Sequence, residues 1–225
     1  MLVVGFPAGP WETNCWVVAP DRGEQCVVID PGYGAEGPLD EILAEYRLHP
    51  VAVLLTHGHI DHMWSVTPVC DAKDVPALIH PADRGMLADP ASQFGVPAGT
   101  PIMGRLDWAE PSDVRDLVDG ETVTFAGLNL QVDLTPGHTR GSVTFTSDGE
   151  FFAGDLLFAG SIGRTDLPGG SFEQMVESLA RVPLALPDET IVRPGHGPQT
   201  TIGRERATNP FLLDLAGTPP VRRGL

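Results

Sequence analysis

Val51-Ala52-Val53-Leu54-Leu55 runs straight into Thr56-His57-Gly58-His59-Ile60-Asp61-His62. The five apolar residues read as a strand buried on both faces, because no polar residue alternates with them. Immediately after it, three histidines and an aspartate crowd into positions 57–62. Imidazoles and carboxylates at that density are the borderline donors that suit zinc, iron or manganese.

Working outward, the same arrangement recurs three times. Leu128, Leu130, Val132 and Leu134 alternate with Asn129, Gln131 and Asp133, a half-buried strand that leads into Pro136-Gly137-His138-Thr139. Ile191-Val192-Arg193 leads into Pro194-Gly195-His196-Gly197, and Phe151-Phe152-Ala153-Gly154 ends in Asp155. Donors at the ends of neighbouring strands converge on one rim of a sheet, and rigid backbone holds them there. Glycines beside His59, His138 and His196 are expected to let the backbone turn sharply. The seven donors exceed what one tetrahedral ion needs. They fit two divalent ions sharing a bridging carboxylate and a bridging hydroxide. Such a centre keeps about one net positive charge and attracts anions. His49 and His80, each before a proline, read as ordinary surface residues.

The remaining elements indicate the α/β class, with mixed sheets covered by helices in one domain spanning residues 1–225. Cys15–Val18, Val27–Ile29, Val143–Phe145 and Phe151–Ala153 read as strands. Leu39, Ile42, Leu43 and Tyr46 form a helical stripe, with Asp40 and Glu41 in its first turn. Ser171 and Gln174 form a capping box ahead of a stripe of Phe172, Met175, Val176, Leu179 and Ala180. A short polar helix is expected near Arg204–Ala207. The Pro-, Gly- and Ala-rich segment from Asp89 to Pro111 reads either as a loop covering a site or as a plain surface connection.

Composition narrows the function. Of 225 residues, 42% are hydrophobic and 20% charged, which excludes a disordered chain. The Val51–Leu55 run is far shorter than the roughly 20 residues of a membrane span. No basic residue precedes the short apolar start, so a signal peptide is not expected and a cytoplasmic location is. Fourteen Lys and Arg against 30 Asp and Glu give a net charge of −16, which disfavours nucleic-acid or membrane partners and leaves a small molecule. Cys15, Cys26 and Cys70 form no CxxC and are expected to be reduced, partly buried and outside the chemistry.

THGHIDH at 56–62, with His138, Asp155 and His196, resembles the metallo-β-lactamase superfamily in its dinuclear hydrolase form. The resemblance extends from ETNCWVV near the start to GHGPQTTIGRERATNPF near the end. It implies a four-layer αββα sandwich with the metals at one edge of two mixed sheets. It further implies that His57, His59 and His138 hold the first ion, that Asp61, His62 and His196 hold the second, and that Asp155 bridges them. Zinc is the expected metal, with iron or manganese as alternatives.

The run LFAGSIGRTDLPGG after Asp155 is similar to glyoxalase II-like hydrolases and to persulfide dioxygenases. Zinc β-lactamases usually carry another residue, such as Cys, at the Asp155 position or lack the bridge, which argues against antibiotic hydrolysis. The RNA-processing branch adds domains and basic surface that this sequence lacks. Two departures stand out: glyoxalase II has a further helical domain that helps hold glutathione, and Met63-Trp64-Ser65 follows His62 where many relatives have a glycine.

The resemblance implies a thioester hydrolase acting on a 2-hydroxyacyl thioester of a small thiol, with Asp61 orienting the nucleophile and accepting its proton. The alternative is a persulfide dioxygenase with one iron on His57, His138 and Asp155. A third reading is a metal-binding protein without turnover. Arg164 either grips a substrate carboxylate or ties its own turn to Asp166. Phe158 either lines the pocket or simply packs, and Trp64 either shapes the pocket wall or packs beneath the site.

Overall fold

The computed structural model describes residues 1–217. Its first sheet joins β1 (Leu2–Ala8), β2 (Thr13–Ala19), β3 (Gln25–Ile29), β4 (His49–Leu54), β5 (Ala77–Ile79) and β6 (Val114–Asp116), in that spatial order. The first three strands are antiparallel neighbours, and β3 to β6 run parallel. Parallel neighbours need crossovers. These are α1 (Glu36–Tyr46) between β3 and β4, then α2 (Ile60–Met63) and α3 (Val66–Lys73) between β4 and β5. A short helix, α4 (Pro81–Arg84), and a 3₁₀ turn at Pro90–Phe94 follow β5.

The second sheet contains β7 (Thr122–Phe125), β8 (Leu128–Leu134), β9 (Val143–Ser147), β10 (Glu150–Gly154), β13 (Ile191–Pro194) and β14 (Thr200–Thr201). Its meander from β7 to β10 is antiparallel, and β13 joins β10 in parallel after the crossover helix α5 (Phe172–Arg181). A small hairpin, β11 (Leu157–Phe158) and β12 (Ser161–Ile162), stands apart, and α6 (Ile202–Thr208) and α7 (Pro210–Gly217) close the described chain.

Period-two alternation sorts the strand residues into layers. Cys15, Val17, Val28, Val53 and Leu55 face α1 and α3, packing on Leu39, Leu43, Val66 and Val69. Their sequence neighbours Trp16, Val18, Val27, Ala52 and Leu54 point the other way, onto Leu130, Val132, Phe145 and Phe152 of the second sheet. Phe151, Ala153 and Val192 then face Met175, Leu179, Ile202 and Leu212 of the helices beyond. The result is helix, sheet, sheet, helix, the metallo-β-lactamase fold expected from the sequence. No helix among the described residues is long and apolar enough to cross a membrane.

Several local expectations need correction. Helix α1 starts earlier than the stripe implied, with Glu36 rather than Asp40 or Glu41 in its first turn. Ser171 Oγ does accept the Gln174 N–H at 3.3 Å, but its own N–H goes to Gly137 O at 2.8 Å, so the box is half formed. That bond ties α5 to the loop bearing His138. Phe172 is 56% exposed and Ala180 is also exposed, while the buried face of α5 is Met175, Ser178 and Leu179. Ser178 is accommodated because its hydroxyl donates to Pro136 O at 2.7 Å. His80 is a helix cap, accepting the Ala82 N–H at 3.2 Å.

These layers predict an asymmetry in stability. Phe145→Ala opens a cavity between the sheets and should cost about 3–5 kcal/mol. Phe172→Ser on the exposed side of α5 should change stability by less than about 0.5 kcal/mol. Urea unfolding of the two variants checks both values.

Candidate metal centre

Four strand ends deliver the seven predicted donors to one place. His57 and His59 follow β4 directly, while Asp61 and His62 occupy the first turns of α2. His138 follows β8, Asp155 follows β10 and His196 follows β13. Three groups of donor atoms lie within 4.8 Å of one another: His57, His59 and His138; His57, His62 and Asp155; and Asp61, His62 and His196. The middle group overlaps both of the others.

The atoms facing inward have the character of a metal site. His57 Nε2 and Asp155 Oδ1 face inward and are buried without a hydrogen-bond partner, while His59 turns its Nδ1 inward, 2.8 Å from His138 Nε2. Buried polar atoms are rarely left so, since each costs desolvation with nothing in return. His62 Nε2 and His196 Nε2 stand 3.3 Å apart, and two nitrogens on one tetrahedral zinc are separated by about 3.3 Å. Asp155 reaches both halves, with Oδ1 at 3.3 Å from His62 Nε2 and Oδ2 at 3.4 Å from His138 Nε2 and 3.7 Å from His196 Nε2. Asp61 Oδ2 lies 3.1 Å from His196 Nε2 and 3.6 Å from His62 Nε2. The donor set therefore fits a pair of divalent ions.

Outer nitrogens are held by a second set of groups. Asp30, at the end of β3, accepts the Thr56 N–H at 2.8 Å and the Thr56 hydroxyl at 2.6 Å, and meets His62 Nδ1 at 2.9 Å. His138 Nδ1 faces Arg164 O at 2.7 Å, and His196 Nδ1 faces Trp11 O at 3.0 Å. With the outer nitrogen donating its proton, the inner one is left as a lone pair. Asp83 ties two donor loops together, taking the Gly58 N–H (3.0 Å), the Thr139 hydroxyl (2.6 Å) and the Gly141 N–H (2.8 Å). Asn14 in β2 crosses to the second sheet, where its side-chain amide donates to Pro194 O and Gly197 O on either side of His196.

The glycine before His196 is present for space rather than for a turn. A Cβ on Gly195 would stand 2.2 Å from Asp155 Oδ1 and 2.7 Å from His62 Cε1. Gly137 does adopt a left-handed φ of 143°, as expected for a turn, and also has no room against the Met175 backbone.

Burial and neighbouring charge separate the imidazoles. Burial, reinforced by the other histidines, holds His57 well below its usual pKa and brings His59 down to about 3. Burial also opposes the charged form of His62, yet Asp155, Asp61 and Asp30 outweigh it and raise its pKa. His196 likewise rises, because Asp61 and Asp155 overcome its burial. Burial pushes Asp61 and Asp155 up, but His62 and His196 hold both below the ordinary carboxylate range. The cysteines are all buried, and burial pushes the Cys26 and Cys70 thiols up to about 12. They take no part in the centre.

A cavity of about 430 Å³ opens onto His59, Asp61, His138, Asp155 and His196. Trp11, Ile60, Phe94, Phe158 and Leu167 form its apolar wall. Phe158 thus reaches the pocket, its ring 6.1 Å from that of His196. Arg164 also borders it, but its guanidinium makes a two-pronged pair with Asp166 at 2.7 Å per contact. Trp64 does not border this cavity. It packs on Tyr33 (4.5 Å between centroids), Trp108 (5.0 Å) and Trp11 (6.3 Å), beneath the lip that Trp11 forms. The Asp89–Pro111 segment does reach the site: Phe94 lines it, and buried Gln93 accepts the Ile60 N–H at 2.8 Å.

Sequence reasoning missed Asp30, Asp83, Trp11 and Gln93. Asp30 carried a usable signal, since it ends a strand as Asp155 does; the other three act through tertiary contacts without a local pattern.

Two predictions follow from this electrostatic division. Protons compete with metal for His62 and His196, whose raised pKa values keep them protonated to higher pH than His57 and His59. Lowering pH from about 8 to about 6 should therefore release an ion held by Asp61, His62 and His196 before one held by His57, His59 and His138, as read by elemental analysis after dialysis at each pH. Asp30→Asn should weaken that same ion about 10–100-fold while the ion on His57, His59 and His138 persists, as read by calorimetric titration with zinc.

Comparison with known proteins agrees with this geometry. The family model described as metallo-beta-lactamase superfamily matches residues 8–196. A probable metallo-hydrolase of Bacillus subtilis is 36% identical over 210 residues, 92% of this chain and 95% of that one. A hydroxyacylglutathione hydrolase of Haemophilus influenzae is 34% identical over 213 residues, 92% and 96% respectively. Among solved structures, the B3 metallo-beta-lactamase BLEG-1 superposes with a TM-score of 0.84 at 39% identity, covering 94% of this chain and 99% of its own. TTHA1623 in a di-iron-bound form gives 0.76 at 40%, covering 94% and 100%. ETHE1 from Myxococcus xanthus gives 0.75 at 25%, covering 99% and 93%. With its motifs, its two-sheet sandwich and these matches in agreement, the chain belongs to the metallo-β-lactamase superfamily.

Proposed function

We propose that this protein is a dinuclear metal-dependent thioesterase of the glyoxalase II type, acting on a 2-hydroxyacyl thioester of a small thiol. The observation that carries the reading is the second donor group. Asp61, His62 and His196 are not only present but held in place, His62 by Asp30 and His196 by Trp11 O. That support suits an occupied second site. The relative named hydroxyacylglutathione hydrolase supports the same class of reaction.

His57, His59 and His138 would hold one ion, Asp61, His62 and His196 the other, and Asp155 would join them. Bound there, the ions supply a hydroxide at neutral pH, by bringing the pKa of water down to about 7, and polarise a carbonyl. The rest falls to the chain. Asp61, its charged form sustained by His62 and His196, orients the attacking oxygen and accepts its proton. Trp11, Phe94 and Phe158 exclude water from the reacting carbon and hold the acyl group.

Among the described residues, the titratable groups bordering the cavity are members of the His/Asp cluster and Arg164. That leaves no evident general acid for a poor leaving group. A thiolate with a pKa near 8.5, by analogy with cysteine, departs with little assistance, whereas an amine does not.

The likeness to ETHE1 favours a second reading, a persulfide dioxygenase with one iron on His57, His138 and Asp155. The likeness to BLEG-1 brings β-lactam hydrolysis into the same test. The experiment measures metal content alongside turnover of a lactoyl thioester, a chromogenic cephalosporin and glutathione persulfide. The proposal expects about two metals per chain and thioester cleavage. Asp61→Asn should weaken binding of the ion it would share with His62 and His196 and lose about 10²–10⁴ in kcat. One iron with oxygen consumption on the persulfide, or cleavage of the cephalosporin alone, would replace the proposal.

A further inference from the structure

The metal cavity does not end at the metals. Three separate segments pass from its wall into a second cavity of about 200 Å³ within two residues of chain. Gln93 and Phe94 border the first and Ser92 the second; Leu167 borders the first and Pro168 and Gly169 the second; His138 borders the first and Arg140 the second. The two cavities therefore flank the same three segments.

Arg140 supplies the positive charge of this annex. It lies two residues beyond His138, at most about 7 Å along the backbone, and its side chain is exposed. Nearly every other described arginine is already engaged: Arg22, Arg84, Arg105, Arg115, Arg164, Arg181, Arg193 and Arg206 each have a carboxylate partner. Arg140 makes no ion pair or side-chain hydrogen bond among the described residues, and neither Arg47 nor Arg204 borders either cavity. Asp83 also borders the annex, but it is 1% exposed and both its oxygens are taken by the Gly58 and Gly141 N–H groups and the Thr139 hydroxyl. In a protein with a net charge of −16, an anionic ligand is repelled at long range and needs a specific cation to hold it. Arg164, the other cation on the cleft, has two of its nitrogens committed to Asp166.

We propose that Arg140 and the annex bind the anionic end, carboxylate or phosphate, of the thiol carrier whose thioester lies over the metal donors. This rests on the thioesterase reading and names its substrate class: an acyl thioester of an acidic rather than a neutral thiol. The guanidinium pairs with the anion by charge-assisted hydrogen bonds. Because the anion is remote from the reacting carbonyl, Arg140 is a positioning residue that acts in the ground state and the transition state alike, so it affects KM and not kcat.

The test uses full-length protein loaded with metal, as wild type, Arg140→Gln and Arg140→Lys. The substrates are lactoyl thioesters of N-acetylcysteamine (neutral), N-acetylcysteine (carboxylate) and 4′-phosphopantetheine (phosphate). Arg140→Gln should raise KM about tenfold for one or both anionic esters at constant kcat. It should leave the neutral ester unchanged, and Arg140→Lys should recover part of the loss. The anionic ester that responds identifies the source of the charge. Equal effects on all three esters, or none, would overturn the proposal and leave the thioesterase reading intact. If wild type cleaves none of them, that reading falls, and unreactive S-methyl thioethers of the same carriers are titrated calorimetrically. Affinity for an anionic thioether that drops about tenfold in Arg140→Gln then sustains the subsite, and unchanged affinity removes it.

Discussion

Crowding five imidazoles and two carboxylates into the seam between two sheets is unfavourable unless something compensates. His57 Nε2 and Asp155 Oδ1 are buried without a hydrogen-bond partner, and a buried polar atom in that state costs about 1–3 kcal/mol. The surrounding chain does nothing to relieve this. It enforces it: Gly195 removes the Cβ that would push Asp155 away, and Asp30 and Thr56 hold His62 from behind. A structure that maintains such a defect has spent folding energy on pre-organising a site, which is the signature of a centre completed by ions.

The clamps that do this are themselves buried carboxylates, and their placement explains how two independent sheets share one centre. Asp30 links the ends of β3 and β4 within the first sheet. Asp83 reaches from α4 to the loop after β8, joining the His57–His59 turn to the His138 turn across the seam. Asn14 makes the return connection from β2 to the turn around His196. Glu205 plays the corresponding part at the pocket wall, where the Gly160 N–H, the Thr200 hydroxyl and the Asn209 amide all donate to it. That arrangement fixes the hairpin bearing Phe158, because Asn209 also donates to Phe158 O and Ser161 O. None of these charges is left uncompensated, which is the condition under which burial of a carboxylate is tolerated.

What could be read from the sequence follows from how local each determinant is. The clustering of the seven candidate donors was legible because a strand pattern precedes each strand-end turn, and strand ends on one rim of a sheet converge. The sandwich was legible through the resemblance carried by THGHIDH and the later motifs, and in the structure Trp16 and Val17, like Phe151 and Phe152, face opposite layers. Short strands such as Ala77–Ile79 and Val114–Asp116 were not: three residues carry too little periodicity to register. Phe172 misled for a related reason, since it fits the helical stripe but sits at the first position of α5, where the chain has only begun to turn onto the core. Trp64 was ambiguous in principle, because a residue following a ligand can point to the cavity or to the layer beneath. Stacking on Tyr33 and Trp108 decided for the layer beneath.

The candidate donors and the apolar wall of the cavity come from different parts of the fold. The candidate donors sit on the turns after β4, β8, β10 and β13 or, for Asp61 and His62, on α2, where backbone hydrogen bonding leaves little freedom. The apolar wall comes from elsewhere: Trp11 from the β1–β2 turn, Phe94 from the long segment after α4, Phe158 from the small hairpin, and Leu167 from the loop before α5. Of these, Trp11 and Phe94 stay partly exposed, at 37% and 46%. Trp11 joins the two classes, because its carbonyl steadies His196 while its ring shapes the lip and rests on Tyr33 and Trp64. A change in the aromatic stack can therefore reach a metal donor through one backbone carbonyl. Phe94 and Leu167 line the cavity from segments that also steady the centre, Gln93 through the Ile60 N–H and Arg164 through His138 Nδ1.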